Sequence, residues 1–171
     1  MVLATQNPVE YLGTFALPEA QLDRFFMKLT LGYPQAQEES KILSRFQSSN
    51  PLKDLEHISD SDQIVGIQKQ VEHVHVEKNL KDFIVAIVRY TREQEEIILG
   101  ASPRASLSLF RSAQAWALYQ GREYVIPDDI IAMAPYILEH RLRIRQEAKL
   151  KKVTAAKIIE RAIEQVEKPE I

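Results

Sequence analysis

From about residue 60 onward the apolar residues recur at intervals of three and four, and that spacing confines most of the chain to amphipathic helices that must pack on one another. Leu80, Phe83, Ile84, Ile87 and Val88 form one such stripe and predict a helix over about 77–92. Before it, Ile64, Ile67, Val71 and Val74 predict a helix over roughly 62–75, with Asp60 or Ser61 placed to cap its first turn. After it, Ser102-Pro103 has the form of a cap followed by a first-turn proline, whose missing N–H is harmless there. The helix starting at that point carries Leu109, Phe110, Ala113, Trp116 and Ala117 inward and ends at Gly121. Pro127-Asp128-Asp129 opens another over about 127–140, with Ile130, Ile131, Ala134, Ile137 and Leu138 facing in. Its two aspartates read as first-turn acids that complement the helix dipole, and Pro135 predicts a kink or local break. Thr154 caps a last helix bearing Ile158, Ile159, Ala162, Ile163 and Val166. The expected fold class is mainly α, and residues from about 50 to 168 could close a core unaided.

The first thirty residues follow a different pattern. Val2-Leu3-Ala4-Thr5 is a short apolar run that stops at Gln6-Asn7-Pro8, which reads as a strand whose end presents an amide and then turns. Phe25, Met27, Leu29 and Leu31 alternate with Lys28 and Thr30, the period of a strand with one wetter face. Gly32-Tyr33-Pro34 ends it, and a helix to about Gln47 should bury Ile42, Leu43 and Phe46. Two parallel strands alone leave exposed edges and an uncovered apolar face. The expectation is therefore a two-strand remnant of a parallel sheet, able to pair between copies through its edges into a dimer.

Composition removes several classes of function. The 171 residues contain no cysteine, which excludes disulfides, thiolate metal sites and cysteine nucleophiles. A formal net charge of -2 provides no general attraction to nucleic acid or acidic lipid. No apolar run approaches the ~20 residues of a membrane-spanning helix, so a soluble, cytoplasmic protein is expected. His73 and His75 lie two apart, diverge on a helix and lack a third ligand, so no metal site is expected. The basic run Arg141, Arg143, Arg145, Lys149, Lys151 and Lys152 is interrupted by Glu147 and has little aromatic interleaving. It reads as a solvated connector or as a contact with an adjoining core domain, and no nucleic acid is expected. Asp23-Arg24 taken alone could be a surface pair of little energetic value.

Read in full, VLATQNPVEYLGTFALPEAQLDRF, followed by Leu31-Gly32-Tyr33-Pro34, Gly100-Ala101-Ser102-Pro103-Arg104-Ala105 and Tyr124-Val125-Ile126-Pro127-Asp128-Asp129-Ile130, resembles the latter half of MoxR-type AAA+ ATPases. The resemblance implies that residues 1–48 are the C-terminal remnant of an α/β nucleotide-binding core and that 49–171 are a helical lid domain. It implies that Asn7 is the sensor 1 amide beside the γ-phosphate. An amide suits that place because it can accept from water and donate to phosphate. Arg24 matches the arginine finger offered to a neighbouring subunit's nucleotide, and Arg104 the sensor 2 arginine at the start of a lid helix. It further implies ATP and Mg2+ as cofactors, a ring of same-protein neighbours, and chaperone-like remodelling of an unknown client protein or metal-cofactor insertion. This sequence departs from the family in two respects. No GxxxxGK[ST] phosphate loop occurs in it, and no acidic strand end precedes Asn7. The expectation is a C-terminal fragment, with both Walker motifs belonging before Met1, that alone neither binds ATP tightly nor hydrolyses it. The alternative is a non-catalytic helical interaction module.

Overall fold

A computed structural model describes residues 2–6, 19–48 and 50–170. Helix α3 (Ser61–His73) begins where Asp60 accepts the Gln63 N–H at 2.7 Å while the Gln63 side chain accepts the Asp60 N–H, a reciprocal cap. Helix α4 (Lys78–Tyr90) buries Leu80, Phe83, Ile84, Ile87 and Val88, the stripe expected from their spacing. The chain then doubles back through a tight corner. Thr91 Oγ1 donates to the Val88 carbonyl and accepts the Ala101 N–H, and Arg92 Nε donates to the Ala101 carbonyl at 2.7 Å. Gly100 sits inside this corner, where a Cβ would lie 2.8 Å from Arg92 Cα and from the Thr91 carbonyl oxygen.

That corner delivers the central helix α5 (Pro103–Tyr119), which packs against α3, α4 and α6 (Pro127–Leu138). Gly121 closes α5 at a φ of 75°, a conformation open to glycine. Helix α8 (Ala155–Gln165) starts where Thr154 accepts the Lys157 N–H, and it seats Ile158, Ile159 and Ala162 in the interior. The main core runs from Val74 and Val76 through α4, α5 and α6 to Ile159 and Ala162. Each fully buried Leu or Ile there contributes roughly 1.5–3 kcal/mol by removal from water.

Helix α6 passes through Pro135 without interruption and ends at Leu138. The bond lost to Pro135 is outweighed by neighbours Ala134, Ile137 and Leu138, all with no solvent exposure. Asp129 is more than a dipole complement. It is buried, accepts the Ile126 N–H at 2.8 Å and is gripped by both terminal nitrogens of Arg122.

The N-terminal expectations need correction. Residues 2–6 and 27–35 form no strand, so neither the parallel remnant nor its pairing edge is present among the described residues. Two short parallel strands without further neighbours cannot satisfy both edges, and so do not offset the entropy of ordering. The only sheet among the described residues is instead antiparallel, joining β1 (Ile97–Leu99) to β2 (Arg143–Ile144). It covers a small satellite core of Ile97, Ile144, Ala148 and Ile158, flanked by α7 (Gln146–Leu150). Helix α2 (Ala36–Ser48) forms where expected, but Ile42, Leu43 and Phe46 lie exposed on it, as do Ile64 and Ile67 on α3. Among the described residues no helix is long and apolar enough to cross a membrane.

Candidate functional site

The site is assembled where the segment after α1 (Glu19–Leu22) meets the start of α5 and the 3-10 turn Glu139–Arg141. Asp23 is its hinge point. Ser102, the residue before α5, makes no capping bond to its own helix; its hydroxyl donates to both Asp23 carboxylate oxygens at 3.1 Å. The buried Arg141 donates from Nη1 to Asp23 Oδ1 at 3.2 Å. Its Nη2 donates to the carbonyls of Phe25 at 2.7 Å and Phe26 at 3.3 Å, and to Ser108 Oγ on α5 at 3.2 Å. His140 Nε2 donates to the same Phe25 carbonyl at 3.2 Å, and the Lys28 N–H donates to the Tyr136 carbonyl at 3.0 Å. Met27 completes the docking by packing on the main core.

The electrostatics follow from that burial. Desolvation lowers the Arg141 pKa from its ordinary value, the Asp23 carboxylate opposes the shift, and the charge of Arg104 adds to it. Arg104 is therefore close enough to be felt at Arg141. His140 is likewise pushed below its usual value, first by burial and also by the charges of Arg141 and Lys28, against the pull of the Phe25 carbonyl and Asp23. Since Nε2 donates to a carbonyl, neutral His140 has a bare Nδ1, which is buried without a partner among the described residues. Protonating it would place an N–H where nothing described accepts it.

The structure places Arg24 exposed, between the two gripped residues Asp23 and Phe25, and Arg104 exposed on the first turn of α5. Asp23 does not pair with its sequence neighbour; its carboxylate is occupied by Ser102 and Arg141. Asn7 lies outside the described residues. Sequence reasoning missed Asp23, Ser102, Ser108, His140 and Arg141 as members of the site. Arg141 stands first in a basic run, and nothing in the sequence sets it apart from its exposed neighbours Arg143 and Arg145. The remaining basic residues stay near the surface, with Arg145 Nε donating to the Glu95 carbonyl at 2.7 Å. His75 meets Glu77 at 3.0 Å, and among the described residues no group of three or more His, Asp or Glu could hold a metal ion.

A helical bundle whose central helix opens on an exposed arginine, with a second arginine docked beside its start, has the form of the lid of a AAA+ protein. Comparison with known sequences agrees. The AAA lid domain family matches residues 89–162, and the family of ATPases associated with various cellular activities matches residues 1–27. The chain belongs to the MoxR-type AAA+ family. It is 45% identical over 168 residues to the uncharacterized protein YeaC of Bacillus subtilis, covering 98% of this chain and 52% of that protein. It is 36% identical over 180 residues to the chaperone MoxR1 of Mycobacterium tuberculosis, covering all of this chain and 47% of the relative. The crystal structure of a presumed ATPase from Cytophaga hutchinsonii superposes with a TM-score of 0.88 at 33% identity, over 96% of this chain and 53% of the other. The chain thus spans about half the length of the curated relatives it matches.

Proposed function

We propose that this chain supplies the phosphate-sensing and lid half of a MoxR-type ATPase. Residues 1–48 would contribute the end of the nucleotide-binding core and residues 49–171 the helical lid. The observation that carries the reading is the Asp23 carboxylate, shared between Ser102 and Arg141, which joins the Arg24 segment to the start of the Arg104 helix. With Asp23 engaged elsewhere, the Arg24 guanidinium is left to meet an external anion. A guanidinium is suited to spreading phosphoryl charge because it is planar, multidentate and always charged. In this reading Arg24 is the finger acting on a neighbour's nucleotide, Arg104 is the sensor 2 contact, and Asn7 orients the attacking water. Magnesium arriving with ATP would neutralise charge between the phosphates.

The protein would act in the cytoplasm as a ring, coupling hydrolysis to remodelling of a client protein or to metal-cofactor insertion. The 171 residues contain no phosphate loop, so this chain alone should show neither tight Mg·ATP binding nor turnover. Isothermal titration tests that, and micromolar affinity would overturn it. Within an assembled ATPase that contains the phosphate loop, Arg24→Ala should abolish turnover and largely spare ATP binding. Equal loss of both would remove Arg24 from the finger role.

A further inference from the structure

Arg141 is buried to within 1% of its side-chain surface, yet nothing in the chemistry above requires a charge at that place. Burying a guanidinium is costly, and an apolar side chain of similar length would fill the same volume. What an apolar group could not do is choose a register. The Arg141 fork reaches the Asp23 carboxylate and the Phe25 and Phe26 carbonyls, three acceptors within four consecutive residues, while Nη2 also holds Ser108. Ser108 lies four residues after Arg104, one turn along the same helix face. The other end of the grip is Ser102, two residues before Arg104. The segment is thus tied to α5 on both sides of Arg104, and Arg24 is held by its neighbours on both sides.

We propose that Arg141 and Asp23 form a positioning latch that locks the backbone of Arg24 to the helix bearing Arg104, so that the two arginines are presented as one unit and Arg24 travels with the lid. Arg141 touches no ligand in this role; it acts through the placement of Arg24. The functional consequence rests on the reading of Arg24 and Arg104 given above, but the latch itself is a property of the fold.

The chain has no cysteine, so Arg24→Cys and Arg104→Cys can be spin-labelled as a clean pair and the distance distribution between them measured. The otherwise unaltered chain should give one narrow distribution. Asp23→Asn and Arg141→Met should each give about a twofold broadening, as a segment freed from its docking contacts gains local freedom. Arg141→Lys, which keeps the charge and loses the fork, should stay broad. Combining Asp23→Asn with Arg141→Met should broaden no further than either alone. A control pair on α4 and α8, Lys81→Cys with Glu160→Cys, should be unmoved in every variant, which separates loss of the latch from loss of the lid. A distribution that stays narrow in either Asp23→Asn or Arg141→Met overturns the proposal. Should Arg141→Met disturb the control pair, Asp23→Asn, nearly isosteric and still able to accept from Ser102, decides alone. No nucleotide enters the measurement, so a failed Arg24→Ala turnover test leaves its outcome intact, and the reverse also holds.

Discussion

Helices α2 and α8 are of similar length and each carries an apolar stripe at helical spacing, yet they end in opposite environments. Ile158, Ile159 and Ala162 on α8 are essentially free of solvent, whereas Ile42, Leu43 and Phe46 on α2 are 45%, 71% and 59% exposed. The local code is the same in both. What differs is the presence of a facing surface: α8 lies across α4 and α6. An amphipathic pattern therefore specifies a helix and the face it wishes to bury, while burial itself depends on what the rest of the fold provides.

The largest effect expected from that contrast is on α8. Ile159→Ala should lose roughly 2–5 kcal/mol, because the site is closed on all sides and a cavity would remain. Urea denaturation monitored by circular dichroism measures it. A loss near that of an exposed position would mean that α8 is not an integral part of the core.

The polar interior of the same region offers the next test. Asp129→Ala would strand the Ile126 N–H and the Arg122 fork, whose pKa the Asp129 hydrogen bonds raise. Breaking a buried pair costs roughly 3–5 kcal/mol, and the partial exposure of Arg122 places this one toward the lower bound. A companion Arg122→Met, Asp129→Leu double variant should recover part of the loss if the cost is that of an unpaired group rather than of the pair itself.

These residues also show where the sequence was readable. Helices α3, α4, α5, α6 and α8 are legible from their period, with Asp60 and Thr154 marking two of the starts, whereas the five-residue α7 is too short to repeat a signal and lies within the basic run. β1 and β2 gave no such signal: with three and two residues they are shorter than any period that could reveal them. The alternating run of Phe25, Met27, Leu29 and Leu31 looked like a strand because only Met27 has a core to enter, and the pattern cannot say so. Arg24 and Arg104 are singled out by the resemblance, whereas the Asp23, Ser102 and Arg141 network is not. Its members lie 79 and 118 residues from one another along the chain, and only the folded corner brings them together.

That corner can be stressed directly. Gly100→Ala would press a methyl against the backbone of residues 91 and 92, with no flexible side-chain end alone to give way. A cost of roughly 1–3 kcal/mol is expected for such overpacking. The same substitution at Gly66, in the middle of α3 with open space where its Cβ would stand, should be neutral or slightly stabilising. Parallel thermal melts of the two variants make the comparison, and equal effects would contradict the close approach at Gly100.

A smaller effect belongs to pH. His140 has a folded pKa below its unfolded value of about 6.5, chiefly because it is buried. Between those two values the unfolded chain binds more protons, so stability rises with pH in that window. The contribution is complete above about 6.5 and is lost as pH falls through the folded pKa. Denaturant midpoints between about pH 5.5 and 7.5 should show this slope, and His140→Gln, which can still donate to the Phe25 carbonyl, should flatten it. An unchanged slope in that variant would assign the dependence to other groups.

The smallest effect completes the contrast between the helices. Leu43→Ala on α2 removes an apolar side chain that is already mostly in water and replaces it with the best helix former. Stability should move by no more than about 0.5 kcal/mol, against several for Ile159→Ala. The two outcomes together test whether exposure, not residue type, governs the difference. A Leu43→Ala loss that equals that of Ile159→Ala at every protein concentration would mean that the chain itself covers the α2 face in solution. A loss that appears only as concentration rises would instead mean that a second copy covers it, because burial between chains is set by mass action.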